Sequence, residues 1–283
     1  MSVSIRSALA ESATTLAAKA VAEPRLEASS LLAHTTSRDR AFLITHADEI
    51  LTAEQLENFC SLVARRAAGE PLQYITGHQE FFKLDFEVNP DVLIPRPETE
   101  IIVEAALELW RREDEAFIAD IGTGSGCILI SLLNELPAAR AVGTDASPAA
   151  LRLAKRNAER HAVKDRLKLL ESDCFSALDG IGKFDLIVSN PPYVSDGELE
   201  TIQREVRREP RSALAGGPDG LDVIRILLRD APSFLRPRSH LVFEVGFGQD
   251  SIVEKLIDRG TWVLIEIRRD LQGVPRTVIL QKR

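Results

Sequence analysis

Cysteine is scarce in this chain: there are three in 283 residues, Cys60, Cys127 and Cys174, far apart and never as a Cys-x-x-Cys pair. An odd, scattered set builds neither a disulfide framework nor a zinc site, and it points to a reducing compartment. Also missing is any apolar run of the ~18 residues that a membrane-spanning helix needs. Residues 1–10 hold one early arginine and lack the apolar centre of a signal peptide. The expected location is the cytoplasm, with no membrane partner. A basic excess is missing as well, because 35 Lys and Arg face 43 Asp and Glu for a net charge of -8. Proteins that grip many phosphates usually present a basic face, so no direct nucleic-acid partner is expected. No Gly-Lys-Ser or Gly-Lys-Thr occurs, which excludes a P-loop. The five histidines are scattered and no Ser-His-Asp or Cys-His arrangement emerges. No metal is expected, and neither repeats nor low-complexity tracts are found.

What is present is an ordinary globular composition, 45% apolar and 28% charged, enough to fill a real core. Up to about residue 72 the pattern is helical. Ile5, Leu9 and Leu16 suggest one helix, and Leu26, Leu31 and Leu32 another. Thr52-Ala53-Glu54-Gln55 has the form of a capping box, and Leu56, Phe59 and Val63 follow at helical spacing. Gly69 and Pro71 then fit a helix stop. Phe81, Phe82, Leu84, Phe86 and Val88 partly alternate, as in a hairpin. Pro95 and Pro97 fix an extended turn before a helix expected over Glu98 to Trp110. Glu98 and Glu100 suit the first turn of that helix through its macrodipole, or could border a substrate entrance.

From about residue 116 strands and helices alternate. Strands are expected at Phe117–Ile121, Arg140–Thr144, Leu167–Leu170, Phe184–Ser189, Leu241–Val245, Trp262–Ile267 and Thr277–Leu280. The alternation implies an α/β domain, a largely parallel sheet with helices on both faces, whose ligands bind at the carboxyl ends of strands.

Two loops carry chemistry. Asp120-Ile121-Gly122-Thr123-Gly124-Ser125-Gly126 ends the first of these strands and opens a helix over Cys127–Leu136. Glycines there let the backbone approach a ligand closely, and the helix N-terminus favours polar or anionic groups. The spacing is Gly-x-Gly-x-Gly, not the dinucleotide Gly-x-Gly-x-x-Gly. Asp145, at the end of the next strand, can accept both ribose hydroxyls of an adenosine ligand. Ser147 and Pro148 beside it read as a helix N-cap and first helical residue. Loop and acid together point to an adenosine-type cofactor, with a dinucleotide and S-adenosylmethionine both open. The second loop is Asn190-Pro191-Pro192-Tyr193, directly after a buried strand. Its prolines stiffen the turn and leave carbonyls free to accept. Asn190 adds a side-chain acceptor, and two convergent acceptors suit a planar NH2 group. Tyr193 offers an aromatic face to it. This is what methyl transfer to an amide or an exocyclic amine requires.

Taken together and in this order, Ile-Pro-Arg-Pro-Glu-Thr-Glu at 94–100, the Asp-Ile-Gly-Thr-Gly-Ser-Gly loop, Asp145, Ser172-Asp173-Cys174-Phe175 and Asn190-Pro191-Pro192-Tyr193 resemble the bacterial release factor glutamine methyltransferases, the PrmC/HemK family. The resemblance covers nearly the whole chain. It implies a class I S-adenosylmethionine-dependent methyltransferase domain, seven-stranded and Rossmann-like, over 98–283. A small helical substrate-recognition domain over 1–72 and a linker and hairpin over 73–97 would precede it. It implies methyl transfer to N5 of the glutamine in the Gly-Gly-Gln motif of peptide chain release factors one and two. Carried onto this chain, Gly122, Thr123, Gly124, Ser125 and Gly126 would line S-adenosylmethionine, and Asp145 would hold its ribose. Cys174 would lie against the adenine, where some members carry Trp, with Phe175 sharing that role. Asn190 would touch cofactor and substrate, acting with Pro191 and Tyr193 on the amide. Pro192, Arg96 and Glu98 complete the expected substrate border. Because Asn-Pro-Pro-Tyr also occurs in adenine-N6 DNA methyltransferases, a nucleic-acid adenine methyltransferase is the alternative. An inactive binding module on the same fold and a nicotinamide oxidoreductase are more distant. Arg204, Arg207, Arg208 and Arg211, interleaved with Glu205 and Glu209, read as a solvated helix, or as a face that meets the release factor.

Overall fold

The computed structural model describes residues 2–110 and 115–283. It divides into two compact units, one of residues 1–77 with 203–208, the other of 78–202 with 209–283. The first unit is helical, with helices Ile5–Ala17, Pro24–Thr36, Arg40–Thr45, Ala53–Ala67 and Leu72–Thr76. The Thr52 hydroxyl accepts from the Gln55 amide and the Gln55 side chain accepts from the Thr52 amide, so the capping box forms as its residue types dictate. Leu16, Leu31, Leu32, Leu43 and Phe59 fill its core. The border falls after Gly77, where the backbone turns left-handed, so the expected linker region contributes a last short helix to this unit and a hairpin to the next.

Residues 203–208 return to the first unit. The expected solvated helix around them is absent: 206–208 and 211–213 are single 3-10 turns. The two glutamates read as solvating that helix are ion-paired instead. Glu205 joins Glu27 on the buried guanidinium of Arg66. Glu209, buried in the second unit, pairs with Arg96 and accepts from the Ile94 amide. Arg204 and Arg208 reach the Ala67 and Ala68 carbonyls at 3.4 Å, near the end of helix Ala53–Ala67. Cations suit a helix C-terminus because the last carbonyls carry partial negative charge.

The second unit opens with the hairpin β1 (His78–Phe81) and β2 (Leu84–Glu87). Seven strands then form one sheet: β3 (Phe117–Ile121), β4 (Arg140–Asp145), β5 (Leu167–Glu171), β6 (Phe184–Ser189), β7 (Leu235–Glu244), β8 (Trp262–Arg269) and β9 (Pro275–Lys282). Their order is β5-β4-β3-β6-β7-β9-β8. The first five pair in parallel, and β9 runs antiparallel to both neighbours. Strand β7 starts at Leu235 rather than Leu241, through a polar stretch that shows no alternation. Burial on both faces explains why β3 and β6 read as near-continuous apolar runs. Helices Glu100–Glu108 and Cys127–Glu135 pack a core on one face; helix Asp222–Asp230 and Phe175 pack the other. The strand order reverses between β3 and β6, and a ligand crevice belongs at the carboxyl ends there.

Candidate active site

A cavity of about 300 Å3 opens at those strand ends, within the size range of small-molecule sites. Gly122 to Ser125 of the glycine loop, Asp145, Ser172 to Cys174 and Asn190 to Pro192 all line it. Four segments far apart in the chain meet because β3, β4, β5 and β6 are adjacent and parallel.

The glycine loop is held from behind. The Gly122 and Thr123 amides both donate to the Thr144 carbonyl, at 2.9 and 2.8 Å. Gly122 and Gly124 sit at φ +78 and +53, and a Cβ built on either meets nothing within 4 Å. Side chains there would enter open space beside the cavity lining, so these two glycines keep a cradle for a ligand. Gly126 differs: its missing Cβ lets Ile130 and Ala154 approach, and it packs the helix rather than lining the cavity. Asn157, fully buried, steadies the loop by donating to the Ser125 carbonyl at 2.9 Å. Its amide also bonds both the amide and the carbonyl of Glu87 in the hairpin.

The Asp145 carboxylate accepts from the Gly124 amide at 2.9 Å and from the Ser147 amide at 2.8 Å, one on each oxygen. Each oxygen keeps a lone pair for a further donor. Burial raises its pKa, against the pull of those two amides. Ser147 caps helix Pro148–Arg160, so this corner has both the acid and the N-cap. Asp120 is buried completely, and neither of its carboxylate oxygens has a hydrogen-bond partner among the described residues. The Thr123 hydroxyl lies beside it without reaching hydrogen-bond geometry and is itself unpartnered. Burial, with Asp145 adding, pushes the Asp120 pKa up to about 7. An orphaned acid directly behind an open glycine cradle fits a ligand that carries positive charge.

Cys174 stands at φ +47 in a loop turned by Ser172, whose hydroxyl donates to the Cys174 carbonyl and accepts from the Ala177 amide. Burial, with Asp173 adding, pushes its thiol pKa up to about 11, so it stays neutral. Phe175 points away from the cavity: its ring is buried in the core, stacked on Phe234 at 5.1 Å. The expected sharing of an adenine contact with Cys174 therefore has no geometry behind it.

At β6 the Ser189 hydroxyl donates to the Ile121 carbonyl at 2.6 Å and ties the two central strand ends together. The Asn190 side chain then donates from Nδ2 to the Thr99 hydroxyl at 3.0 Å. Thr99 donates to Glu244 Oε2 at 2.6 Å, and the Tyr193 hydroxyl donates to Glu244 Oε1 at 3.0 Å. Gln249 accepts from the Gly246 amide and donates to the Tyr193 carbonyl at 2.9 Å. Burial and the neighbouring Glu244 raise the Tyr193 pKa, which keeps its hydroxyl a donor. Tyr193 itself does not line the cavity; it braces the turn that does. Arg96 and Glu98 also lie off the cavity wall. Arg96 is engaged by Glu209, and Glu98 lines a separate hollow with Glu104 and Arg268. Thr99, Asn157, Glu244 and Gln249 escaped the sequence reading. Only Thr99 carried a signal, its place inside Pro-Glu-Thr-Glu.

The fold and the cavity at its switch point define a class I methyltransferase domain. The hMettl16 catalytic domain shares it at TM-score 0.58 and 18% identity, covering 78% of this chain and 80% of that one. A methyltransferase from Pyrococcus furiosus shares it at TM-score 0.53 and 17% identity, covering 77% of this chain and 96% of that one. Likeness at that level shows the fold alone. Residues 7–77 match the PrmC N-terminal domain, and residues 99–242 match the methyltransferase small domain. A release factor glutamine methyltransferase of Moorella thermoacetica is 47% identical over 99% of both chains. Its counterpart in Geobacter sulfurreducens is 47% identical over 93% of this chain and 91% of that one. The chain belongs to the release factor glutamine methyltransferase family, and with it to the S-adenosylmethionine-dependent methyltransferases. No helix among the described residues is long and apolar enough to cross a membrane.

Proposed function

We propose that this protein methylates N5 of the glutamine in the Gly-Gly-Gln motif of peptide chain release factors one and two, using S-adenosylmethionine. The observation that carries the reading is the placement of Asn190 and Pro191 on the same cavity wall as the glycine cradle and Asp145. An amide clamp and a nucleoside cradle facing one space is what joining a methyl donor to an amide demands. The relatives' names supply the substrate class.

In this reading the glycine-loop backbone and Asp145 hold the cofactor, with Asp145 taking the ribose hydroxyls on its free lone pairs. Cys174 packs against the base as a small neutral side chain. When bound, the cofactor supplies an electrophilic methyl group on a sulfonium. Asn190 Oδ1 and the Pro191 carbonyl accept the two hydrogens of the substrate amide. That restores electron density to a nitrogen whose lone pair is otherwise delocalised, and it aims the lone pair. Positioning of this kind can lower a barrier by up to about 7–11 kcal/mol. No strong base is required of the protein, because the methylated nitrogen is acidic and gives its extra proton to solvent. With that substrate goes a cytoplasmic location, the compartment of translation.

Mass spectrometry of purified release factor after incubation with the protein and S-adenosylmethionine tests this. The expected result is one added methyl group on the Gly-Gly-Gln glutamine. No methylation of release factor, despite measurable cofactor binding, overturns the reading and directs the search to adenine in nucleic acid.

A further inference from the structure

Glu244 ends β7 with its side chain fully buried, beneath the Asn190 turn and out of the cavity. A buried carboxylate is costly unless it is hydrogen-bonded, so it is retained for the bonds it makes. Here the bonds are two hydroxyl donors, Thr99 on one oxygen and Tyr193 on the other. Burial, with Glu98 adding, raises the Glu244 pKa against the pull of the Thr99 and Tyr193 hydroxyls and of Arg276. Arg276 is itself held by Asp270 at 2.9 Å.

With Glu244 ionised, donor accounting along this chain of bonds has one outcome. A threonine hydroxyl has a single hydrogen. An ionised carboxylate can only accept, so that hydrogen goes to Glu244. Thr99 Oγ1 is then an acceptor toward Asn190, and only Nδ2 of the Asn190 amide can meet it. The side-chain amide is planar, so Nδ2 on Thr99 leaves Oδ1 on the other corner, free for a ligand. Nothing in the Asn-Pro-Pro-Tyr stretch itself fixes this orientation. A flipped amide would present two hydrogens to a substrate NH2 group and repel it.

We propose that Glu244, acting through Thr99, is a positioning residue that sets the orientation of the Asn190 amide, and that the same carboxylate fixes Tyr193 through its hydroxyl. The proposal rests on the amide-clamp reading of Asn190. Thr99→Val removes the hydroxyl at constant shape, and Thr99→Ser restores it. Glu244→Gln replaces two acceptors by one acceptor and one donor, so the two hydroxyls can no longer both donate.

The test reads release-factor methylation kinetics, cofactor affinity and the Asn190 side-chain NH2 resonances, the last assigned by their loss in Asn190→Ala. Misplacement of a reacting group by about 1 Å can cost 100-fold, so Thr99→Val is expected to lower kcat on the order of 10- to 100-fold. Cofactor affinity should stay within about twofold, KM should change far less than kcat, and the Asn190 resonances should move. Thr99→Ser should return kcat and resonances toward wild type. Glu244→Gln, measured in parallel should Thr99→Val fail to fold, should lose several-fold in kcat. Unmoved Asn190 resonances, or full kcat in a folded Thr99→Val or Glu244→Gln, overturns the proposal. Full activity of Asn190→Ala would instead sink the clamp reading, while shifted resonances in Thr99→Val would still report the relay.

Discussion

The two halves of the cavity are built in opposite ways. The cofactor half is local and made of backbone: the glycine loop and Asp145 sit at the ends of adjacent strands, joined by the Gly124 amide. The clamp half is long-range and made of side chains. Asn190, Thr99 and Glu244 come from a loop, a 3-10 turn and the end of a strand, and no two are neighbours in sequence. A local backbone cradle is specified by residue type at short spacing. A side-chain relay is specified by tertiary packing, so it tolerates no lost member but leaves little trace in the sequence. The two halves should therefore fail differently.

The largest effect is expected from Asn190→Ala. Removing a group aimed at the reacting centre typically costs about 100- to 1000-fold in kcat. Cofactor affinity, measured by calorimetry, should hardly change, and an equal loss of both would erase the distinction between the halves. Next comes Asp145→Ala, which removes a charged acceptor for two hydroxyls. Hydrogen bonds to charged groups are worth about 1.5–3 kcal/mol each, so cofactor affinity should fall at least about 10-fold. Asn157→Ala tests the support of the cradle. It strands the buried Ser125 carbonyl, an unsatisfied group of a kind that costs about 1–3 kcal/mol, and removes the partner of the part-buried Glu87 amide and carbonyl. A clear drop in thermal midpoint should accompany weaker cofactor binding; a drop without weaker binding would detach Asn157 from the site.

The smallest effect concerns Asp120. Its folded pKa, about 7, lies above the ordinary carboxylate range, chiefly through burial. The folded state then holds a proton that the unfolded chain has already released. Stability contributed by the neutral acid is lost as pH rises from the ordinary carboxylate range toward about 7, and the deficit levels off above it. Asp120→Asn should gain on the wild type between pH 5 and pH 8, read as the difference of their thermal midpoints. A difference independent of pH would mean that the buried charge is not what strains this position.

The contrast also explains how much was legible beforehand. The strands and the glycine loop followed from apolar runs and from spacings within a few residues. Asn190 was visible because two prolines and a tyrosine mark the turn. Glu244 was hidden because an acid at the end of an apolar strand looks like a strand terminus, and its partners lie on other segments. Periodicity reports which face a residue takes, not whom it meets. The same blindness turned Glu205 and Glu209 into a solvated helix, where the structure pairs each with an arginine far away in sequence. Phe175 was misjudged through its neighbour, since adjacent residues in a loop need not face the same way. Arg96, expected at the substrate border, is ion-paired with Glu209 and does not line the cavity.

One measurement tests the division most directly: single-turnover methylation of release factor by Asp145→Ala and Asn190→Ala, titrated with S-adenosylmethionine to saturation. The account predicts that Asp145→Ala recovers most of the wild-type rate once cofactor is saturating, whereas Asn190→Ala stays slow at every concentration. A rate for Asn190→Ala that climbs to wild type with cofactor, or an Asp145→Ala rate that stays low at saturation, would contradict it.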